Sequence, residues 1–432
     1  MRSRSRTGIL AVRLATGWAP LALGSALGSA LGSACSNETL ACASPLDVCE
    51  GGGKTPLHHV LITGQSLSVG SQSRLVSTTQ PFDNVSFATG VRAGGENLDA
   101  LRPLVESADG ALGETLASGM ANWLTASART SGGDHRSLMS AHGVSSRPYN
   151  ALARGTDPYA EGMAQVEAGL ALATEHGEGY AVRAVVAIHG ESDHVGGNTR
   201  YDLDLQQWQR DYEADIQAIT GQLRPVPLLT DQMSSFTAFA SETSAIPLLQ
   251  LAASRARPDR ILLVGPKYML PYVADGVHLT GDGERWLGEM HAKVFEHALL
   301  KGEPWRPVSP RSIVHDGAQI TVRLWVPVPP LVLDDDRIDD PGNHGFEYTD
   351  DSEDPPRITS VQLSGDDTVR LTLSEIPVGT GQRIRYAMRG LAGQAAGATT
   401  GARGTLRDSD ATVSRHGYPL FNWCVHFDEP VP

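Results

Sequence analysis

Between residues 57 and 301 the chain alternates short apolar runs with longer segments of helical period. Runs at 59–63, 84–88, 136–141, 182–188, 227–230 and 261–264 predict strands. Segments at 113–128, 158–175, 203–223, 243–256 and 281–299 predict helices. In the third of these, Leu205, Trp208, Tyr212, Ile216 and Ile219 fall on one face at a 3.6-residue period. Pro158 suits a first helical turn and Thr280 an N-cap. The run Val185-Val186-Ala187-Ile188 is apolar on both faces, which suits a parallel strand covered by helices on either side. The pattern predicts a three-layer α/β domain, with functional loops at the carboxyl ends of its strands.

After Trp305 the period changes to two. Ile320, Val322, Leu324 and Val326 alternate with polar residues, and Val369, Leu371 and Leu373 repeat the pattern. Asp316-Gly317, Gly365-Asp366 and Val378-Gly379 supply turns between such runs. This predicts an antiparallel β-sandwich over 312–432, joined to the α/β domain through a proline-rich linker at 302–311.

The first residues read as an address. Arg2, Arg4, Arg6 and Arg13 precede a modestly apolar stretch and small residues, so 1–34 is expected to be a signal peptide and 35–56 an exported linker. Ala34-Cys35 resembles a lipoprotein junction with its leucine one residue too far upstream, and both lipidation at Cys35 and plain secretion stay open. Either way the protein is expected to be exported: secreted, periplasmic or an outer-membrane lipoprotein. Cys42 and Cys49 are spaced to close a short loop in an oxidising compartment, while Cys424 reads as a buried small hydrophobe. No CxxC pair suggests a zinc site. The formal net charge of −14 makes nucleic acid a poor partner.

Chemistry concentrates in three segments: Gly64-Gln65-Ser66-Leu67-Ser68, His189-Gly190-Glu191-Ser192-Asp193 and Asp275-Gly276-Val277-His278. Ser66 follows the apolar run Val60-Leu61-Ile62, and Asp275 and His278 stand just before the last helix. A serine hydroxyl needs a base to become nucleophilic, and a histidine base needs a group to fix its tautomer. Ser66, His278 and Asp275 supply these parts. A His189, Glu191, Asp193 and His194 metal cluster is disfavoured, because neighbours on one loop converge poorly. No metal or cofactor is expected.

These segments resemble the SGNH/GDSL hydrolase superfamily, in its sialate O-acetylesterase-like and carbohydrate acetylesterase branch. That branch typically carries Gly-Gln-Ser-Asn where this chain has Gly64-Gln65-Ser66-Leu67, and Gln-Gly-Glu-Ser-Asp where it has His189-Gly190-Glu191-Ser192-Asp193; Asp275-x-x-His278 is intact. The resemblance covers about 57–300 and implies a flavodoxin-like parallel sheet. It also implies an oxyanion hole built from the Ser66 N–H, from Gly113 as the second-block glycine, and from His189 in place of the usual amide. Gln65 and Glu191 are expected in supporting roles, Glu191 by holding its loop together.

The expected function is that of a serine ester hydrolase removing O-acetyl groups from a carbohydrate through an acyl-enzyme at Ser66. An esterase or lipase on non-carbohydrate esters is the alternative, though the segment lacks the second glycine of the Gly-x-Ser-x-Gly elbow. A non-catalytic surface glycan-binding protein is the alternative of another class.

Overall fold

The computed structural model describes residues 55–95 and 98–432. The expected leader, the Cys35 junction and the Cys42/Cys49 pair lie outside the described residues. The described chain belongs to one compact unit.

Seven strands form the main sheet: β1 (Leu57–Gly64), β2 (Val85–Phe87), β3 (Leu101–Pro103), β4 (Arg136–Ala141), β5 (Tyr180–Ile188), β6 (Leu228–Gln232) and β7 (Ile261–Pro266). Their spatial order is β3-β2-β4-β1-β5-β6-β7, all parallel except the edge strand β3. Six helices accompany them: α1 (Leu116–Thr130), α2 (Asp157–Glu175), α3 (Glu191–Val195), α4 (Tyr201–Thr220), α5 (Ile246–Ala256) and α6 (Gly281–Phe295).

Strand periodicity divides the core. Val60 and Ile62 of β1 pack with Leu116, Met120 and Leu124 of α1 and Leu287 of α6. Leu61, on the opposite face, packs with Val166 of α2, with Leu205, Trp208 and Tyr212 of α4 and with Ala253 of α5. The sheet is thus covered on both sides, which explains why β1 is wholly buried and β5 is buried from Val182 onward. This is the three-layer α/β arrangement that the pattern predicts. Thr115 caps α1 by accepting from the Ala117 N–H, and Thr280 caps α6 by accepting from the Gly283 N–H.

Strand β1 sits where the winding reverses, with β4 on one side and β5 on the other. The loops leaving the carboxyl ends of these strands diverge there and leave a crevice, the position at which open α/β sheets place their ligands.

The remaining strands are antiparallel: β8 (Ser309–Asp316), β9 (Gln319–Trp325), β10 (Val332–Leu333), β11 (Phe346–Thr349), β12 (Ile358–Leu363), β13 (Thr368–Leu373), β14 (Arg383–Tyr386), β15 (Leu406–Arg407) and β16 (Phe427–Pro430). They form a four-stranded sheet (β12-β13-β9-β8), a three-stranded sheet (β11-β14-β16) and a two-stranded ladder (β10-β15). Val322, Leu371, Tyr386 and Phe427 belong to the same continuous apolar cluster as Val60 and Leu287. Polar contacts reinforce the union. Gln232 Nε2 donates to His426 O at 3.0 Å, and the His426 N–H donates back to Gln232 Oε1 at 2.8 Å. Buried Lys293 of α6 donates to Asp410 at 2.8 Å and to Asn422 at 2.6 Å. Cys424 is buried with a free thiol.

Candidate active site

The nucleophile candidate owes its position to the end of β1. Gly64 adopts φ +126°, and a Cβ there would lie 2.1 Å from Ile188 O, so only glycine lets β1 turn this close to β5. The chain then enters a single 3₁₀ turn, Ser66–Val69, in which Ser68 Oγ donates to Gln65 O at 2.6 Å. Gln65 is buried, and its Oε1 accepts the Ser192 N–H at 2.9 Å, which ties this turn to the loop after β5.

Ser66 and His278 are 212 positions apart in sequence, yet Ser66 Oγ lies 2.8 Å from His278 Nε2. On the far side of the imidazole, His278 Nδ1 lies 2.7 Å from Asp275 Oδ2. The second carboxylate oxygen, Oδ1, accepts the N–H groups of Val277 at 2.8 Å and His278 at 2.9 Å. This local turn is why an Asp and a His three residues apart meet: the carboxylate folds back onto its own backbone and presents its free oxygen to the ring. Burial pulls the Asp275 carboxyl upward, but its hydrogen bonds from the His278 ring and from two backbone N–H groups outweigh that and hold it below the usual carboxylate range. An ionised Asp275 keeps the proton of neutral His278 on Nδ1. Nε2 is then free to accept from Ser66.

The Asp275 turn is braced from the C-terminal part of the chain. Gly276 has φ +69°, and a Cβ there would lie 2.4 Å from the Ala395 Cα. The Ala396 N–H donates to Gly276 O at 3.1 Å.

Two residues expected at an oxyanion hole are committed elsewhere. The Gly113 N–H donates to Gly70 O at 2.8 Å, and a Cβ on Gly113 would lie 2.1 Å from Ser73 O. Gly113 therefore locks two loops together and has no N–H left for a substrate. His189 is fully buried: Nδ1 pairs with the Tyr201 hydroxyl at 2.7 Å, and Nε2 with Arg147 O at 2.9 Å. Both ring nitrogens are occupied, so His189 is a strand-end histidine satisfied within the core. Burial holds its pKa below the ordinary value.

A different glycine lies beside the nucleophile turn. Gly143 follows β4, the parallel neighbour of β1, and a Cβ there would lie 2.0 Å from Ser68 Oγ and 2.7 Å from Gly64 O. The flanking His142 and Val144 N–H groups donate to Ile62 O and Gly64 O, whereas no described residue accepts from the Gly143 N–H. The sequence signal for it was the glycine just beyond a predicted strand, but that signal becomes specific only once β4 is known to lie next to β1. Gly143 also lines a cavity of about 390 Å³, together with Val69, Arg92, Ser145 and Glu161.

Glu191 turns inward beneath the site. Its Oε1 accepts from Ser235 Oγ at 3.1 Å and lies 3.5 Å from Lys267 Nζ, which is itself 2.5 Å from Asp231. All three charged groups are buried, and the two carboxylates push the Lys267 pKa upward against its burial. Glu191 thus pins the β5 and β6 loops to the segment after β7. Asp193 accepts the Tyr149 N–H and lies 3.6 Å from His189 Nε2, whereas His194 turns away to pair with Ser244.

No family model and no curated protein sequence matches the chain. Among solved structures, a carbohydrate acetylesterase from Xanthomonas citri is similar with a TM-score of 0.57 at 12% identity, over 86% of this chain and 80% of that one. A protein from Arabidopsis thaliana gives a TM-score of 0.40 at 15% identity, over 56% of this chain and 98% of that one. A carbohydrate acetylesterase from Sinorhizobium meliloti gives 0.32 at 14% identity, over 56% and 99%. The first likeness is one of fold, and it extends beyond the parallel sheet into the antiparallel part.

Proposed function

We propose that the protein is a serine-dependent ester hydrolase of the SGNH type, and that its substrate is an O-acetylated carbohydrate. The observation that carries the first part is the continuous relay from Ser66 Oγ through His278 to Asp275, with contacts of 2.8 and 2.7 Å. The sharing of a fold with an enzyme named as a carbohydrate acetylesterase supports the second part. The basic n-region at the start of the chain supports action outside the cytoplasm.

Ser66 Oγ attacks the ester carbonyl carbon while its proton moves to His278 Nε2. The imidazolium so formed is stabilised by Asp275, which stays ionised. The carbonyl oxygen becomes an oxyanion, and we assign its donors to the N–H groups of Ser66 and Gly143, the latter because it stands beside the nucleophile turn with an uncommitted proton. Collapse breaks the bond to the sugar oxygen, which takes the proton from His278 and departs as a hydroxyl, leaving an acetyl ester on Ser66. Water then repeats the sequence, giving up a proton to His278 and releasing acetate.

The test is acetate release from a panel of acetylated polysaccharides and aryl acetates by the full chain and by Ser66→Ala. The proposal expects release by the first and none by the second. A folded wild-type protein that releases acetate from aryl esters alone would limit it to a general esterase.

A further inference from the structure

A second cavity, of about 570 Å³, opens at the seam between the α/β part and the antiparallel part. Glu242 lines it from the segment between β6 and α5, Glu347 from β11, Arg357 from the approach to β12, Arg385 from β14, and Arg389 from just beyond β14. Strand alternation puts these charges there. Phe346 and Tyr348 turn into the core, so Glu347 between them faces the other way. The register then sets Glu347 opposite Arg385, and Arg385 opposite Asp428.

The charges are incompletely satisfied. Glu347 Oε2 is buried without a hydrogen-bond partner among the described residues, and so is Arg385 Nε, which lies 3.4 Å from Asp428 Oδ2. Arg357 and Arg389 line the cavity from its exposed side, where water reaches their guanidinium groups. Burial pushes the Glu347 carboxyl above its ordinary range, opposed by Arg385 and Arg389. Buried donors and acceptors left unpaired are rare in folded proteins and invite a partner.

The mixture of signs restricts that partner. A small anion would meet Glu347 and Glu242, and a small cation would meet three arginines. A hydroxyl both donates and accepts, so a ring bearing several of them can satisfy both kinds at once. The cavity is also tied to the catalytic group, because the segment leaving Arg389 reaches Ala396, whose N–H holds Gly276 beside Asp275.

We propose that this cavity is a saccharide subsite, taking a neutral, hydroxyl-rich sugar residue of the polymer whose ester is cleaved at Ser66. Glu347 accepts from its hydroxyls, and Arg385 and Arg389 donate to them. This rests on the reading of the protein as a carbohydrate esterase.

The test uses the full chain and the variants Arg389→Met and Glu347→Gln, assayed on an aryl acetate and on acetylated xylan and acetylated glucomannan. Each variant is expected to raise KM on its preferred polymer by about tenfold, the scale of one lost charge-assisted hydrogen bond. Aryl acetate kcat and KM should stay unchanged. In parallel, Ser66→Ala should be retarded in gels containing the polymer, and Ser66→Ala combined with Arg389→Met should not. Equal polymer KM in folded variants, or retardation insensitive to Arg389→Met, overturns the subsite. A preference for polyanionic over neutral glycans also overturns it. Because Arg389 is exposed, its variant tests the proposal even if Glu347→Gln fails to fold. Absence of hydrolysis of any ester by the wild type would instead strike the esterase reading itself.

Discussion

Replacing Asp275 by asparagine separates the relay from the local turn that builds it. Asparagine keeps a carbonyl oxygen where Oδ1 accepts the Val277 and His278 N–H groups at 2.8 and 2.9 Å, so the turn should survive. It puts an NH₂ group where Oδ2 now meets His278 Nδ1 at 2.7 Å. Two donors cannot face each other, so the ring is driven to carry its proton on Nε2, and it then points a donor at Ser66 where an acceptor is needed. In serine hydrolases whose aspartate is buried this change costs about 10⁴-fold in kcat, or about 5.5 kcal/mol. Here the Asp275 side chain is 42% exposed, and water can partly rescue the correct tautomer. We therefore expect a loss of about 10²- to 10³-fold, roughly 3–4 kcal/mol of transition-state stabilisation. The assay is kcat on an aryl acetate, with circular dichroism and thermal melting to show an unchanged fold. Asp275→Asn retaining more than a third of wild-type kcat would refute the argument that Asp275 sets the tautomer.

Three further outcomes are expected. First, a crystal structure of Ser66 carrying a phosphonate should place the phosphoryl oxygen within hydrogen-bond reach of the Ser66 and Gly143 N–H groups; contacts to Gly113 or His189 instead would reverse the assignment made from their existing partners. Second, Lys293→Met leaves the buried Asp410 carboxylate with its Thr412 and Asn422 donors but without its countercharge, so it should lower stability by about 3 kcal/mol in denaturant melts, and ending the chain near residue 301 should yield insoluble protein. A soluble, cooperatively unfolding truncation would contradict the shared core. Third, burial, helped by Glu114, raises the folded-state pKa of Glu106 to about 8 from 4.5, so this group favours the folded protein most below pH 4.5, and that contribution is lost as pH rises towards 8. Melting temperature should therefore fall less steeply over that interval in Glu106→Gln than in wild type; parallel curves would contradict the burial argument.

What the sequence revealed depended on the range of the signal. Ser66 and the Asp275–His278 pair were legible because each rests on local rules: a polar residue at a strand end, and an aspartate turned back on its own backbone. The helices α1, α2, α4, α5 and α6 were legible for the same reason, through the apolar period, the first-turn Pro158 and the cap at Thr280. The place of Gly143 beside the Ser66 turn was not, because it depends on β4 lying beside β1, a pairing between residues about eighty positions apart. Gly113 misled because a glycine before a helix looks the same whether its N–H is free or held by Gly70. The change from helical period to period two near Trp305 was equally visible. That His426 would bond Gln232 across 194 positions, or that Ala396 would brace Gly276, has no local signature, since each is a product of tertiary packing.

The central claim is that Ser66 is the nucleophile, and covalent capture tests it most directly. The full chain would be treated with a fluorophosphonate ester, which transfers its phosphonyl group to an activated serine hydroxyl with loss of fluoride. Mass spectrometry of the intact protein and of its peptides would then locate the adduct. The relay predicts one adduct per chain, on Ser66, forming in step with the loss of esterase activity and failing to form in His278→Ala. Loss of activity with Ser66 unmodified, or equal labelling after His278 is removed, would contradict it.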